Sequence, residues 1–373
     1  MNGDTSIRPS LAGDLARTSV ERAIAELRMG RPVLLESETE TALVQSVEDL
    51  ERGQAERLDA ISVRQGRLVL PAARLKRLGV ERAHNGWIGL PTLDARRIAT
   101  LAFSMDALVD WPVRPTGQLD EAALELARLA LSLPAAVVMP LADGAAIDDT
   151  VLRVTVGAIE SYRSDRVRDL KIVGRAPVPL EDAPETEFIV FRGGEGLRDQ
   201  VAVIVGRPDF AEPVTVRLHS ACLTGDLFGS LKCDCGDQLR FSVRWMAEHG
   251  GGVLLYLDQE GRGNGIANKI RAYKLQSEGY DTYDADEMLG FGPDQRRFDF
   301  AAEMLRQLGI SRVRLITNNP DKIAALEKSG IELVAHQRAP ARTTAENAGY
   351  LASKRDRAGH LLDLATAEPG RPG

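Results

Sequence analysis

The sequence is poor in cysteine, in aromatic side chains and in unbroken apolar runs. Only three of its 373 residues are cysteine and 5% are aromatic. An odd cysteine count argues against a disulfide framework. So does the opening stretch MNGDTSIRPSLAGDLARTSVERAIAEL, which lacks the apolar segment of a signal peptide. The longest apolar stretch, around 133–142, is interrupted by Pro134 and Pro140. It is far shorter than the ~20 residues of a membrane-spanning helix. A surplus of positive charge is missing too: 47 Lys and Arg against 54 Asp and Glu leave a net charge of −7. A broad surface for nucleic acid or anionic lipid is thereby excluded, and any phosphate must be held in a small local pocket. These absences predict a cytoplasmic protein with neither a nucleic-acid nor a membrane partner.

What is present is ordinary for a folded chain: 44% hydrophobic and 27% charged residues. The length suits two or three domains. The proline-rich, acidic stretch RAPVPLEDAPET (175–186) reads as a boundary. The expected division is a first domain over 1–170, a linker over 171–186, a second domain over 187–365 and a frayed tail over 366–373. In the first half, helical periodicity at 19–29 leads into a strand at 32–35, with a further strand at 66–71 and a helix at 121–131. The second half alternates more tightly. Strands are expected at 214–220, 253–258, 312–317 and 331–335, with helices at 238–248, 266–277 and 298–308 between them. Asn319 and Pro320 begin one more helix, which Gly330 ends. The fold class that follows is α/β, a layered mixed-sheet domain preceded by a smaller α+β domain.

All three cysteines, Cys222, Cys233 and Cys235, fall within one window of fourteen residues. Small buried thiols would explain such a cluster, because free cysteine packs well. The polar, glycine-rich setting CLTGDLFGSLKCDCGDQL favours metal binding instead. Three thiolates leave the fourth position of a zinc tetrahedron open to water, as in catalytic sites. Zinc there can lower the pKa of its water to near neutrality. His219 as a fourth ligand would make the site structural.

The segment RLHSACLTGDLFGSLKCDCGDQL, followed by DQEGRGNGIANKIRAY, resembles GTP cyclohydrolase II, and the likeness runs from about 175 to 363. The resemblance implies a zinc-dependent opening of the GTP imidazole ring, the first committed step of riboflavin synthesis. Its products are formate, pyrophosphate and 2,5-diamino-6-ribosylamino-4(3H)-pyrimidinone 5′-phosphate. One Zn²⁺ would sit on Cys222, Cys233 and Cys235, and Mg²⁺ would accompany GTP. The implied catalytic residues are Tyr273 for ring opening, Asp294 as general base and Arg296 at the α-phosphate. Arginine is a poor nucleophile, its pKa lying above 12, so Arg296 reads equally well as a charge clamp. For Tyr273 the competing reading is packing, since Ile266, Ile270 and Tyr273 fall on one helical face. GTP itself would be held by Arg217, Leu218, His219, Ser220, Ala221, Gln238, Glu260, Gly261, Arg262, Thr282, Thr317 and Lys322. Glu260 could accept from the guanine N1–H and amino group. A homodimer is expected of the family.

Two positions depart from the family pattern: Ala221 replaces a glutamate beside the first cysteine, and Asn264 stands where an isoleucine would pack. Two rival readings are an enzyme stopping at a formamidopyrimidine nucleotide and a catalytically dead zinc- or nucleotide-binding regulator. Residues 19–35, 64–79 and 124–140 are similar to 3,4-dihydroxy-2-butanone 4-phosphate synthase. That family needs a DDEDRENEGD-type acidic loop and the histidine of an RPGH motif. This chain has LLESETETALVQSVEDL (34–50) and Arg114, Pro115, Thr116 and Gly117 at those places. The first domain is therefore expected to be a non-catalytic relative.

Overall fold

The computed structural model describes residues 14–48, 50–61, 66–142, 144–145, 147–193, 198–292, 296–340 and 343–358. The chain divides into two compact units, one running to Ser164 and including Met288–Phe291, the other taking the rest. Among the described residues no helix is long and apolar enough to cross a membrane.

The first unit is one seven-stranded sheet with helices on both faces. Its strands are β1 (Val33–Glu36), β2 (Thr41–Ser46), β3 (Gly66–Leu70), β4 (Gly86–Leu90), β5 (Val113–Pro115), β6 (Ala136–Pro140) and β7 (Arg153–Thr155). They lie in the order β5-β4-β3-β6-β2-β1-β7. All neighbours are antiparallel except β1 and β7. The helices are α1 (Leu15–Arg28), α2 (Arg52–Ile61), α3 (Ala72–Arg77), α4 (Ala95–Phe103), α5 (Gln118–Leu129) and α6 (Val156–Arg168). Strand alternation sends Val33, Leu35, Val44 and Val138 against α1, α5 and α6. Leu34, Leu43, Leu68 and Met139 point the other way, against α2, α3 and α4. On that second face Arg74, 2% exposed, donates to the carbonyls of Leu101, Ser104 and Met288. Phe291 packs into the same apolar cluster.

The second unit has another seven-stranded sheet, in the order β14-β13-β11-β12-β10-β9-β8. Its strands are β8 (Lys171–Pro177), β9 (Thr186–Arg192), β10 (Gln200–Val205), β11 (Val214–Ser220), β12 (Gly252–Leu257), β13 (Arg312–Ile316) and β14 (Glu332–Gln337). β8, β9, β10 and β12 pair antiparallel, while β12, β11, β13 and β14 run parallel. The helices are α7 (Leu223–Asp226), α8 (Cys235–Glu248), α9 (Ile266–Ser277), α10 (Thr282–Met288), α11 (Asp299–Gln307), α12 (Pro320–Lys328) and α13 (Ala348–Ala358). The fold is mixed α/β, as expected. The Asn319 side chain caps α12 through the Asp321 amide, Pro320 occupies its first turn, and Gly330 takes φ 79° just past its end. The linker expected over 171–186 needs correction. Its first seven residues form β8, an edge strand on β9, exposed along its length. Prolines are tolerated on such an edge because one side of the strand needs no ladder bonds. The expected tail lies outside the described residues.

Candidate active site

The parallel half of the second sheet brings the carboxyl ends of β11, β12 and β13 together, the usual place for ligands in such sheets. Beyond β11 the chain turns into the four-residue helix α7, with Cys222 at its cap position. It then returns so that Cys233 and Cys235 stand at the start of α8. The three sulfurs come to lie within 4.8 Å of one another, the single metal-sized group of such donors among the described residues. Gly225 explains how they approach. A Cβ there would sit 2.7 Å from the Cys233 sulfur and 3.0 Å from that of Cys222. Gly236 is as tight, since its Cβ would lie 2.2 Å from the Gly225 carbonyl oxygen.

The thiols share charge unequally. Hydrogen bonds from Cys233 and Cys235, with the nearby Lys269 ammonium, hold Cys222 far below the usual thiol range in spite of burial. Cys233, donating to Cys222, is pushed up to about 11, and Cys235 also rises. Lys269 reaches the Cys222 sulfur at 3.0 Å and a Glu260 oxygen at 2.8 Å. Burial opposes its charge, but the Cys222 sulfur and Glu260 outweigh it. A donor set of three soft sulfurs, one already thiolate-like, fits zinc. His219 is not part of it: its Nε2 lies 3.1 Å from both Asp226 oxygens, so the four-ligand reading does not hold. Asp226 also accepts from the Cys222 amide at 2.9 Å and from the Tyr256 hydroxyl at 3.0 Å.

Beside the thiols lies a cavity of about 510 Å³ whose wall includes Cys235. Six cationic side chains line it: Arg217, Arg262, Arg296, Lys322, Lys354 and Arg357. Two carboxylates, Asp234 and Asp321, face them. Such a surplus suits a polyanion. Arg217 is buried, donates to Ile316 O at 3.0 Å and Gln238 Oε1 at 2.6 Å, and is drawn down by burial to about 10, still charged at neutral pH. Arg296 reaches Ser220 Oγ at 3.4 Å, and Lys322 donates to Leu218 O at 2.6 Å. Both cations stand over the Phe298 ring, at 5.5 and 5.4 Å from its centre. Arg262 has φ 60°, a left-handed backbone that costs a non-glycine residue energy. It is held by Asp286 at 2.9 Å and by the Tyr283 ring at 4.3 Å.

Of the residues expected to bind nucleotide, Arg217, His219, Ser220, Gln238, Arg262, Thr317 and Lys322 line this cavity, as does Arg296. Leu218, Ala221, Glu260, Gly261 and Thr282 do not. Leu218 offers its carbonyl to Lys322, and the Ala221 amide is spent on Leu257 O. Glu260, 9% exposed, accepts from the Leu223 and Gly261 amides and from Lys269. With three donors on it, Glu260 braces the thiol turn. Thr282, at the start of α10, accepts from Gln276 at 3.4 Å. Tyr273 sits by the thiols: its hydroxyl is 3.4 Å from Thr224 Oγ1, itself 3.8 Å from the Cys222 sulfur. Burial pushes the Tyr273 phenol up to about 12. The packing explanation for Tyr273 fails, because Ile266 and Ile270 on its face are 39% and 51% exposed. Asp294 lies outside the described residues. The reading missed Asp234, Tyr283, Tyr350, Lys354 and Arg357, which also line the cavity. Asp234, set between two cysteines, was the one with a visible signal.

In the first unit, the stretch compared with an acidic metal loop is a tight hairpin between β1 and β2, closed by Ser37 on Glu40. Its carboxylates diverge. Glu36 pairs with Arg153, Glu40 with Arg67, and Glu48 accepts from the Leu133 amide. Asp49 lies outside the described residues.

The sequence pattern of one protein family, GTP cyclohydrolase II, matches residues 171–338. Over 98% of this chain and 92% of the relative, the sequence is 45% identical to a GTP cyclohydrolase-2 of Xylella fastidiosa. It is 41% identical to a GTP cyclohydrolase-2 of Azospirillum brasilense, covering 94% of this chain and 95% of that one. A riboflavin biosynthesis protein RibBA of Bacillus cereus is 40% identical across 65% of this chain and 64% of its own length. Among solved structures, a two-domain 3,4-dihydroxy-2-butanone 4-phosphate synthase of A. baumannii matches 87% of this chain and 99% of its own at 17% identity. Its TM-score is 0.32, too low to bear on the fold.

Proposed function

The chain belongs to the GTP cyclohydrolase II family, and from that premise we propose that its second unit hydrolyses GTP to formate, pyrophosphate and the diaminopyrimidinone ribosyl phosphate of riboflavin biosynthesis. The observation that carries this is the adjacency of the three-sulfur cluster to a cation-lined cavity, with Cys235 belonging to both. Cys222, Cys233 and Cys235 would hold Zn²⁺, which when bound makes a water nucleophilic enough for attack on an aromatic carbon. Arg296 and Lys322, backed by Phe298, offer paired charge to the phosphates, with Arg296 acting as a clamp. Asp294 is the general base of this reading. Tyr273 would hand over a proton in ring opening, a role supported by its hydroxyl lying toward Thr224 and the thiol cluster. Its retention there supports complete turnover over arrest at a formamidopyrimidine. Mg²⁺ would accompany the triphosphate. The protein is read as cytoplasmic and homodimeric, with Leu227, Phe228 and Ile270, 70%, 73% and 51% exposed, available to a second copy.

The first unit we read as a non-catalytic relative of butanone-phosphate synthase, supported by the divergence of its carboxylates. Purified protein with GTP and Mg²⁺ should yield formate and pyrophosphate in equal amounts with the pyrimidine product, and ribulose 5-phosphate should yield no 3,4-dihydroxy-2-butanone 4-phosphate. GTP recovered intact would sink the first reading, and steady butanone-phosphate formation the second.

A further inference from the structure

The family pattern ends at residue 338, yet α13 lies beyond it and supplies Tyr350, Lys354 and Arg357 to the cavity. The helix is docked from several sides. Leu351 is fully buried, Thr344 donates to Leu231 O at 2.8 Å, and Arg357 reaches Asp281 at 2.7 Å and Asp284 at 3.2 Å. From it Lys354 extends under the cysteine turn, its Nζ 3.0 Å from Asp234 Oδ1 and 4.1 Å from the centre of the Tyr350 ring. Asp234 is 1% exposed and stands between the two sulfur-bearing residues Cys233 and Cys235. Its second oxygen accepts from Gln238 Nε2 at 2.5 Å, and Gln238 Oε1 accepts from Arg217 at 2.6 Å. One line of contacts thus runs from α13 to Arg217, a cavity cation only 5% exposed.

We propose that Lys354 is a positioning residue, which neutralises Asp234 and thereby sets both the Cys233–Cys235 turn and the Gln238–Arg217 pair. The physical reason is that Asp234 accepts from Lys354 on one oxygen and from the Gln238 amide on the other, so the lysine fixes the plane in which the carboxylate meets that amide. Without the lysine, Oδ1 of Asp234 would lose its partner, and the carboxylate would be free to rotate away from the Gln238 amide. The amide would turn, and Arg217 would keep Ile316 O but lose its side-chain acceptor. The same change would loosen the turn that presents two of the three sulfurs, in the way outer contacts of metal ligands govern affinity.

This rests on the reading of the sulfur cluster and cavity as a zinc and GTP site, and the test separates the two. Full-length protein is compared with Lys354→Met, Lys354→Arg, Asp234→Asn and the Lys354→Met/Asp234→Asn double variant. Leu351→Ala serves as a control that weakens α13 without touching the pair. Zinc transfer to a chromophoric chelator is timed, and KM and kcat for GTP are measured separately. Lys354→Met should release zinc roughly 10–100-fold faster and raise KM for GTP about tenfold, as loss of an oriented charge-assisted bond would. Lys354→Arg should restore most of both. The double variant should lose less than the sum of the single losses, because the two side chains act as a unit. Unchanged zinc release and KM in Lys354→Met would overturn the proposal. So would Leu351→Ala reproducing the same losses in the same proportion, which would reduce Lys354 to a packing residue. If wild-type protein leaves GTP intact, the functional reading fails, and the zinc-release series still decides the role of Lys354.

Discussion

Glu36, Glu40 and Glu48 stand within thirteen residues of one another in the first unit, much as the three cysteines stand within fourteen in the second. In the first unit the intervening chain is a hairpin of two strands. Extended backbone carries side chains apart at about 3.3 Å per residue and to alternate faces. Each glutamate ends against its own partner: Arg153, Arg67 or the Leu133 amide. In the second unit the intervening chain is a short helix and a return loop, closed on glycines 225 and 236. All three sulfurs therefore meet. Closeness in sequence becomes a site only where the backbone doubles back and leaves room for the side chains to face one another.

The contrast can be tested at both ends. The largest effect should come from Cys233→Ser, which removes one of three sulfurs. Bound zinc should fall well below one per chain, and formate release should drop by at least about a hundredfold. Metal analysis alongside formate assay checks this, and full activity without zinc or a similar ion would break the comparison. Arg296→Ala comes next. Losing a charge aimed at the phosphates should cost about 10²–10³ in turnover while zinc content stays at the wild-type value. A variant turning over GTP at a near-normal rate would remove Arg296 from the site.

In the first unit, effects should appear in stability and not in the products made. Leu124, fully buried against α1 and the sheet, should cost about 2–5 kcal/mol when changed to alanine. A lower Tm with an unchanged product from GTP is the expected result, and an altered product would blur the division of labour. The smallest effect concerns Asp120, 1% exposed, whose carboxyl burial pushes above its usual range, although the Gly117 amide and Arg67 pull it down. The folded state then holds this proton more tightly than the unfolded chain does. That contribution is fully present below the unfolded pKa and is lost as pH rises through the raised folded value. Asp120→Asn should therefore flatten the part of the Tm profile that falls as pH rises from the unfolded to the folded pKa of this carboxyl. A steeper fall in the variant than in wild type would contradict the assignment.

Much of this architecture was legible beforehand because local signals are strong in the second half. The helix at 266–277 and the strand at 214–220 agree with the observed α9 and β11 to the residue. Alternating apolar residues and capping groups act over a few positions. The edge strand β8 was hidden by its full exposure, which gives a period-two reading nothing to detect, and by the proline-rich stretch into which it runs. The surroundings of Glu260 were hidden for a different reason. A carboxylate in a glycine-rich loop looks free in sequence, and only the folded chain supplies Leu223, Gly261 and Lys269 as its donors.

The sequence by itself determined that three cysteines, a run of polar turns and an alternating α/β pattern would share the second half of the chain, since these depend on residue type and short spacing. The closing of the cavity was decided by tertiary structure alone. Lys354 lies 120 positions from Asp234, and Tyr350 and Arg357 reach the same cavity from the same helix. No periodicity or motif couples positions so far apart. They meet because α13 buries Leu351 and ties Arg357 to Asp281 and to Asp284 of α10, which sets Lys354 against a buried carboxylate that needs an opposite charge beside it.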